Sequence, residues 1–281
     1  MALKLMYITN RPEIAAIAEQ AGADSIFVDL EYIGKQERQG GMDTVQSRHT
    51  LEDIAAVSRA LTKAELLVRC NPIHEKNEQY LGTEEEIEQI ICQGGQRIML
   101  PYFKTPEEAG RFLHCVGGRV KTCLLLETPE AAERIDEILA LPGIDEIHIG
   151  LNDLSLGYKK KFMFEVLSDG TVEHLCNKIK EKDIFFGFGG IASLGRGALP
   201  AEYVIREHYR LGSRMAILSR SFCNANLIQD PGVIRRVFRS GLREIREFER
   251  ECELLTQEQM LENKLEVETI VNRIVSEMKG T

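Results

Sequence analysis

Residues 97–116, Arg97-Ile-Met-Leu-Pro-Tyr-Phe-Lys-Thr-Pro-Glu-Glu-Ala-Gly-Arg-Phe-Leu-His-Cys-Val116, contain one complete repeat of the fold. After Arg97 the stretch begins with an uninterrupted apolar run up to residue 102, which is typical of a parallel strand covered on both faces. Thr105 and Glu108 then have the spacing of a capping box, and Pro106 stands at the first helical position. The stretch therefore predicts a buried strand that leads within a few residues into a helix.

The same strand-then-helix unit recurs eight times between residues 4 and 220. The predicted strands cover residues 4–9, 25–31, 65–71, 97–102, 122–128, 146–151, 184–191 and 214–219. Thr83 with Glu86, and Thr128 before Pro129, indicate further helix starts. Eight such units favour a (β/α)8 TIM barrel of the α/β class over an open doubly wound sheet, because residues 9–12 lack the glycine-rich loop of that sheet.

The pattern changes in the last part of the chain. From Ile234 to Leu255 the apolar residues fall three or four apart, which predicts one long amphipathic helix, and Thr256 with Gln259 caps another. We therefore expect a barrel domain over 1–225 and a helical extension over 226–281. The extension either forms an oligomer contact or packs over the bottom of the barrel.

Composition limits the classes of protein to which the chain can belong. The chain has 281 residues, 43% of them hydrophobic, and a formal net charge of -9, which excludes disorder and disfavours nucleic acid as a partner. It has no apolar stretch of membrane-spanning length and no targeting segment at its start. Its seven cysteines are scattered and predict reduced thiols without chemistry. We expect a cytoplasmic protein that acts on a small molecule.

Candidate catalytic residues follow from the rule that a TIM barrel builds its active site at the carboxyl ends of its strands. Glu127 and Asp153 follow adjacent strands, and their carboxylates suit Mg2+ or Mn2+. Each of them could instead belong to a helix cap or a solvated loop. Arg69 ends the third strand and offers a planar cation to a carboxylate or enolate oxygen, or it forms a structural ion pair with Asp29 or Glu31.

Four further residues stand at the same predicted mouth. His49 lies in the long loop over 32–50 and is the histidine best placed to act as a base. Asn152, Gly189 and Gly190 are candidates for substrate contact. The two glycines either let a ligand approach the backbone or relieve crowding where the barrel closes.

Several segments carry motifs that occur together, in this order, in one known family. They are residues 21–31, 68–72, 98–101 with 105–109, 126–131 and 143–155. In these segments the chain resembles the HpcH/HpaI aldolase and citrate lyase β-subunit family, part of the phosphoenolpyruvate/pyruvate barrel superfamily. The similarity extends over about residues 13 to 220.

The resemblance implies a role for each acid at the mouth. Glu127 and Asp153 would hold a divalent metal, Arg69 would contact the pyruvate-like carboxylate or enolate, and Asp29 and Glu31 would order the site and its water. It also implies a homo-oligomer, a trimer or hexamer, in which C-terminal helices pack across subunits.

The chain departs from the family pattern at two positions. Tyr32 stands where aldolases of the family place a histidine base, and Leu125 stands where they commonly have glutamine. An unperturbed phenol, with a pKa of about 10, is a poor base at neutral pH. The sequence thus identifies a divergent member.

Three functions are compatible with these residues. The leading hypothesis is a divalent-metal-dependent carbon-carbon lyase of the class II aldolase type, acting on a keto acid or hydroxy-keto acid through a pyruvate-like enolate. A second is a CoA-thioester lyase or hydrolase, which would use Arg38, Arg48 or Lys159 to Lys161 to bind the cofactor. A third is a non-catalytic barrel that serves as a binding or assembly module.

Overall fold

Eight parallel strands close into a barrel in the order of the sequence, in a computed structural model that describes residues 2–34 and 49–279. The strands are β1 (Lys4–Ile8), β2 (Ser25–Asp29), β3 (Glu65–Arg69), β4 (Arg97–Leu100), β5 (Lys121–Leu126), β6 (Glu146–Ile149), β7 (Phe185–Ile191) and β8 (Met215–Leu218). Each coincides with a predicted strand, and β8 pairs with β1 to close the barrel. The prediction of a (β/α)8 TIM barrel is confirmed.

Helices follow the strands on the outside of the barrel. Those of the described residues are α1 (Pro12–Ala21), α2 (Leu51–Ala60), α3 (Thr83–Cys92), α4 (Pro106–Val116), α5 (Pro129–Glu133), α6 (Ile135–Ile138), α7 (Leu151–Gly157), α8 (Glu165–Ser168), α9 (Thr171–Lys180), α10 (Ala201–Leu211), α11 (Pro231–Cys252) and α12 (Gln257–Lys279). The Thr105 side chain accepts a hydrogen bond from the Glu108 amide, as the capping-box pattern predicts.

Thr83 and Glu86 have the spacing of a capping box, but the prediction that Thr83 caps the helix is wrong. Helix α3 has Gly82 at its N-cap, and Thr83 is already the first helical residue. The Glu86 carboxylate instead accepts hydrogen bonds from the backbone and side chain of Asn71, which follows β3. The three-residue spacing that resembles a capping box therefore has another role here: Glu86 on α3 contacts Asn71, which follows β3.

Two apolar layers hold the barrel together. A narrow cluster fills its interior: Met6, Phe27, Leu67, Met99, Cys123, Leu125 and Met215. A larger cluster lies between the strands and the surrounding helices, and includes residues from every strand. Because both faces of each strand are covered, the strand sequences are continuously apolar rather than alternating.

The extra C-terminal helices are present and pack on the barrel. Helix α11 contacts α1 and α10, and α12 contacts α10 and α8. Thr256 and Gln259 exchange the two hydrogen bonds expected of a capping box at the start of α12. Within residues 2–34 and 49–279, no helix is both long enough and apolar enough to cross a membrane.

Candidate active site

Arg69 and Asp29 form the best-defined pair at the mouth of the barrel. They end β3 and β2 and are direct neighbours in the strand register. Arg69 Nε and Nη2 donate to the two Asp29 carboxylate oxygens, each at 2.8 Å, and Nη2 lies 3.3 Å from Glu31 Oε2. The predicted alternative of an ion pair is therefore confirmed.

This pairing fixes the charge and the orientation of the guanidinium. Burial alone would lower the pKa of Arg69, but the carboxylates of Asp29 and Glu31, followed by Glu127, raise that pKa well above its usual value. Arg69 Nη1 makes no hydrogen bond within residues 2–34 and 49–279. One edge of a permanently charged, held guanidinium is thus available for an anionic oxygen.

Glu127 follows β5 and is 4% exposed. Its Oε1 accepts a hydrogen bond from the Tyr102 amide at 3.0 Å. Its other oxygen, Oε2, lies over Gly150, where an added Cβ would come within 2.7 Å of it. Gly150 therefore preserves the space in which the carboxylate sits.

Tyr102 was not identified from the sequence as part of the site. It has a left-handed backbone with φ +48°, which is uncommon for a residue other than glycine. That conformation presents its amide to Glu127. No sequence signal marks this position, because aromatic residues have no preference for a positive φ.

Asp153 is 8% exposed and lies in the first turn of α7. It does not cap that helix, because Gly150 occupies the N-cap position, so the capping alternative is wrong. Asn152 donates from Nδ2 to Asp153 Oδ1 at 3.1 Å. Glu127 thus contacts Gly150, the N-cap of α7, and Asp153 lies in the first turn of the same helix, three residues after Gly150.

The donor set of Glu127 and Asp153 fits a hard divalent cation. Two carboxylates with a neighbouring amide provide part of an oxygen shell, and Mg2+ or Mn2+ takes the remaining ligands from water and an anionic substrate. Within residues 2–34 and 49–279, no group of three or more His, Cys, Asp or Glu side chains is arranged to hold a metal by itself. The pair matches an open catalytic site better than a closed structural one.

His49 contacts the same strand end. The Asp29 amide donates to His49 Nδ1 at 2.9 Å, and the imidazole is 8% exposed. Because Nδ1 accepts this bond, the neutral ring carries its proton on Nε2. In the neutral ring, Nε2 of His49 therefore carries the hydrogen and donates. A general base needs a ring nitrogen that can accept a proton, so this tautomer does not match the predicted role of His49 as a base.

Tyr32 is held by its backbone, since its amide donates to Asn71 Oδ1 at 2.8 Å. Burial, with the charge of Asp29, raises the pKa of the Tyr32 phenol to about 12. The phenol is thus a still weaker base at neutral pH than free tyrosine.

Asn71 and Glu86 support this end of β2 and were not recognised as a pair from the sequence. Asn71 Oδ1 also accepts from the Ile33 amide, and Asn71 Nδ2 donates to Glu86 Oε1 at 2.8 Å. Burial raises the pKa of the Glu86 carboxyl. The sequence signal for Asn71 as a site residue is its position shortly after β3. The spacing of Glu86 from Thr83 instead predicts a helix cap. Beside them lies a cavity of about 270 Å³ bordered by Tyr32, His49 and Tyr80.

Packing accounts for the conformations of Gly189 and Gly190. Gly189 has φ +51°, and a Cβ there would lie 2.6 Å from Leu151 Cδ1. A Cβ at Gly190 would lie 3.1 Å from the Ile217 carbonyl oxygen on β8. These contacts agree with relief of crowding where the barrel closes. The carbonyl of Gly189 also contacts His148 Nε2 at 3.1 Å.

The comparison with family models gives one match, to HpcH/HpaI aldolase/citrate lyase over residues 4–169. The chain belongs to the HpcH/HpaI aldolase/citrate lyase family. The matched region contains Asp29, Arg69, Glu127 and Asp153. Family membership points to a lyase-type enzyme that acts on a small molecule. A comparison with curated proteins found no match.

Solved structures similar to this HpcH/HpaI family member show the same fold. An HpcH/HpaI aldolase from Desulfitobacterium hafniense DCB-2 has a TM-score of 0.60 at 16% identity, with 88% of this chain and 93% of that chain covered. An HpcH/HpaI aldolase/citrate lyase family protein from Burkholderia cenocepacia J2315 has a TM-score of 0.59 at 14% identity, covering 87% and 95%. The citrate synthase SbnG has a TM-score of 0.56 at 16% identity, covering 88% and 94%.

The basic residues suggested for a CoA thioester are only partly placed. Arg38 and Arg48 lie outside the described residues. Lys160 forms an ion pair with Asp169 at 2.8 Å, so its charge is already compensated. In this family member, therefore, no described contact favours the thioester hypothesis.

Proposed function

We propose that this protein is a divalent-metal-dependent carbon-carbon lyase of the class II aldolase type, which makes or breaks a bond next to a pyruvate-like enolate. The observation that carries the proposal is a pair of buried carboxylates, Glu127 in contact with Gly150 and Asp153 three residues after Gly150. The fixed cation of Arg69 is close enough to Glu127 for that carboxylate to raise the pKa of Arg69. Such a combination stabilises negative charge that develops on a keto oxygen.

The roles of the residues follow from their contacts. Glu127 and Asp153 would hold Mg2+ or Mn2+, which supplies Lewis-acid polarisation of a keto oxygen when bound. Arg69 turns Nη1 toward the substrate carboxylate or enolate, while Asp29 keeps the guanidinium plane fixed. Asn152, beside Asp153, would contact the substrate, a keto acid or hydroxy-keto acid, whereas packing already accounts for Gly189 and Gly190.

The proton of the aldol hydroxyl needs an acceptor other than Tyr32. Asp29 and Glu31 both lie against the Arg69 guanidinium. We propose that the proton passes through a water near these two acids and ends on one of their carboxylates. His49, whose Nδ1 accepts from the Asp29 amide, would hold Asp29 in place for this step.

Metal binding tests the proposal before any substrate is known. Mn2+ affinity is measured by calorimetry for the natural protein, for Glu127→Gln and for Asp153→Asn. Glu130→Gln is the matched control, because Glu130 is an exposed acid three residues beyond Glu127, paired with Lys104. We expect each site variant to weaken Mn2+ binding by at least about tenfold, or about 1.4 kcal/mol, and the control to leave it unchanged. Equal affinities for Glu127→Gln and Glu130→Gln would refute the assignment.

A further inference from the structure

A row of arginines lies on α11, away from the mouth of the barrel. Arg235, Arg239 and Arg243 follow one another at intervals of four residues, so they share one face of the helix, and all three are exposed. Together with Arg246 they line a groove of about 540 Å³ between α11 and α1. Like charges at this spacing destabilise a helix, so the row carries a cost that packing does not explain.

The facing helix does not neutralise this row. The groove is lined on this side by Ile17, Gln20 and Ala21 of α1 and by Gly22 directly after it, none of which carries a carboxylate. The neighbouring acid, Glu19, accepts hydrogen bonds from the backbone of residues 62–64 on its other side.

The partners of the individual arginines leave the positive charge largely uncompensated. Arg235 donates to the neutral Gln20 side chain at 2.9 Å, and Arg243 is 4.0 Å from Glu247. Arg239 forms no hydrogen bond or ion pair within residues 2–34 and 49–279. In a chain with a net charge of -9, three such guanidiniums on one face form a local positive field.

Arg246 gives the groove a fixed end. It donates to the Leu3 carbonyl and to the Asp24 and Glu249 carboxylates, each within 2.8 Å. Leu3 and Asp24 precede β1 and β2, so this end of the groove lies at the amino ends of the strands. The groove is therefore on the opposite end of the barrel from Glu127 and Asp153.

We propose that this groove, the α1–α11 groove, binds a small anion that carries two or more phosphate groups. Guanidinium groups pair with phosphate oxygens through two parallel hydrogen bonds, and a row of them matches successive phosphates better than a single carboxylate. The volume suits a small molecule. A long polyanion is disfavoured, because the acidic remainder of the surface repels it.

Binding of inorganic tripolyphosphate to the full-length protein tests this proposal. Calorimetry compares the natural protein with Arg239→Gln and with the double variant Arg239→Gln/Arg243→Gln, and citrate serves as the carboxylate anion. Arg236→Gln and Arg250→Gln are matched controls, since both residues are exposed arginines of α11 outside the groove.

The expected result is binding of tripolyphosphate that is tighter than binding of citrate and that weakens with added salt. Each groove substitution should raise the dissociation constant by about tenfold, equal to about 1.4 kcal/mol, and the controls should change it less than about twofold. Absence of binding, or equal loss in groove and control variants, would overturn the proposal. A shift to a smaller particle in sedimentation for Arg239→Gln would also overturn it, because the groove would then be an interface between copies.

Discussion

At the scale of single residues, the mouth of the barrel is held by contacts between separate strands, loops and helices. Asp29, Arg69, Glu127 and Asp153 follow apolar runs, and a barrel brings such positions to one mouth. Two contacts join separate elements: the Tyr102 amide donates to Glu127, and Asn71 donates to Glu86. Such contacts depend on loop geometry, which local patterns do not encode.

His49 offers a test of one such contact. His49→Ala should leave the buried Asp29 amide without an acceptor and lower the free energy of unfolding by about 1–3 kcal/mol. His49→Asn should retain most of that stability, because its Oδ1 can take the place of Nδ1. Urea unfolding of the two variants checks this, and equal losses in both would contradict the contact.

At the scale of elements, continuous apolar runs were sufficient to predict all eight strands. For several strands the predicted carboxyl end lies up to two residues beyond the observed one. The third strand, for example, was predicted over 65–71 and is observed over Glu65–Arg69, because the residues that follow it form the loop at the mouth. The division at residue 225 stays a prediction. Helix α11 contacts α1 and α10 and so occupies the position of the eighth outer helix of the barrel. We therefore propose that α11 stabilises the barrel itself.

The amino ends of the strands contain a buried charge network whose removal should be costly. Arg97 on β4 is fully buried and bonds both oxygens of Glu146 on β6, the nearer at 2.7 Å. Glu146→Ala should lower the free energy of unfolding by about 3–5 kcal/mol, because it leaves a buried guanidinium without its main partner.

Glu137→Ala is the matched control for this network. Its partner is Arg134, also at 2.7 Å, but both side chains are exposed to solvent by a third or more. The control should cost no more than about 1 kcal/mol. If urea unfolding gives similar losses for Glu146→Ala and Glu137→Ala, the charge network does not stabilise the barrel.

At the scale of the whole molecule, two buried histidines should set the acid stability. Burial lowers the pKa of His148 and of His208 to about 3. The unfolded chain, with histidine pKa values of about 6.5, then binds more protons than the folded one between pH 6.5 and 3. Stability should be fully present above pH 6.5 and should decrease as the pH falls, by up to about 1.4 kcal/mol per pH unit for each histidine.

The slope of unfolding free energy against pH, between pH 5 and 6, measures this effect. The slope gives the number of protons that the chain takes up on unfolding. His208→Gln should reduce this number by about one, whereas His114→Gln, at an exposed position, should leave it unchanged. The partly buried carboxylates Glu65 and Glu173, both with pKa lowered to about 2, lose their stabilising effect only at lower pH. An unchanged slope in His208→Gln would exclude a buried neutral His208.

The C-terminal helices bear on the proposed trimer or hexamer. Leu254 lies in the turn between α11 and α12 and is 83% exposed, and Leu261 and Leu265, four residues apart on α12, are 57% and 61% exposed. We propose that Leu261 and Leu265 lie in a contact between subunits. Leu261→Lys/Leu265→Lys should then reduce the sedimenting mass to that of a monomer, because it places charges in that contact. An unchanged oligomer would show that the contact lies elsewhere.

We propose that Glu127, Asp153 and Arg69 together form an enolate site. Its most direct test is proton NMR of pyruvate in D2O with the protein and Mg2+ or Mn2+, following deuterium exchange of the methyl group. We predict metal-dependent exchange in the natural protein and in Glu130→Gln, and its loss in Glu127→Gln. Absence of exchange in the natural protein with Mn2+ bound, or undiminished exchange in Glu127→Gln, would contradict the claim and favour a thioester substrate or a non-catalytic barrel.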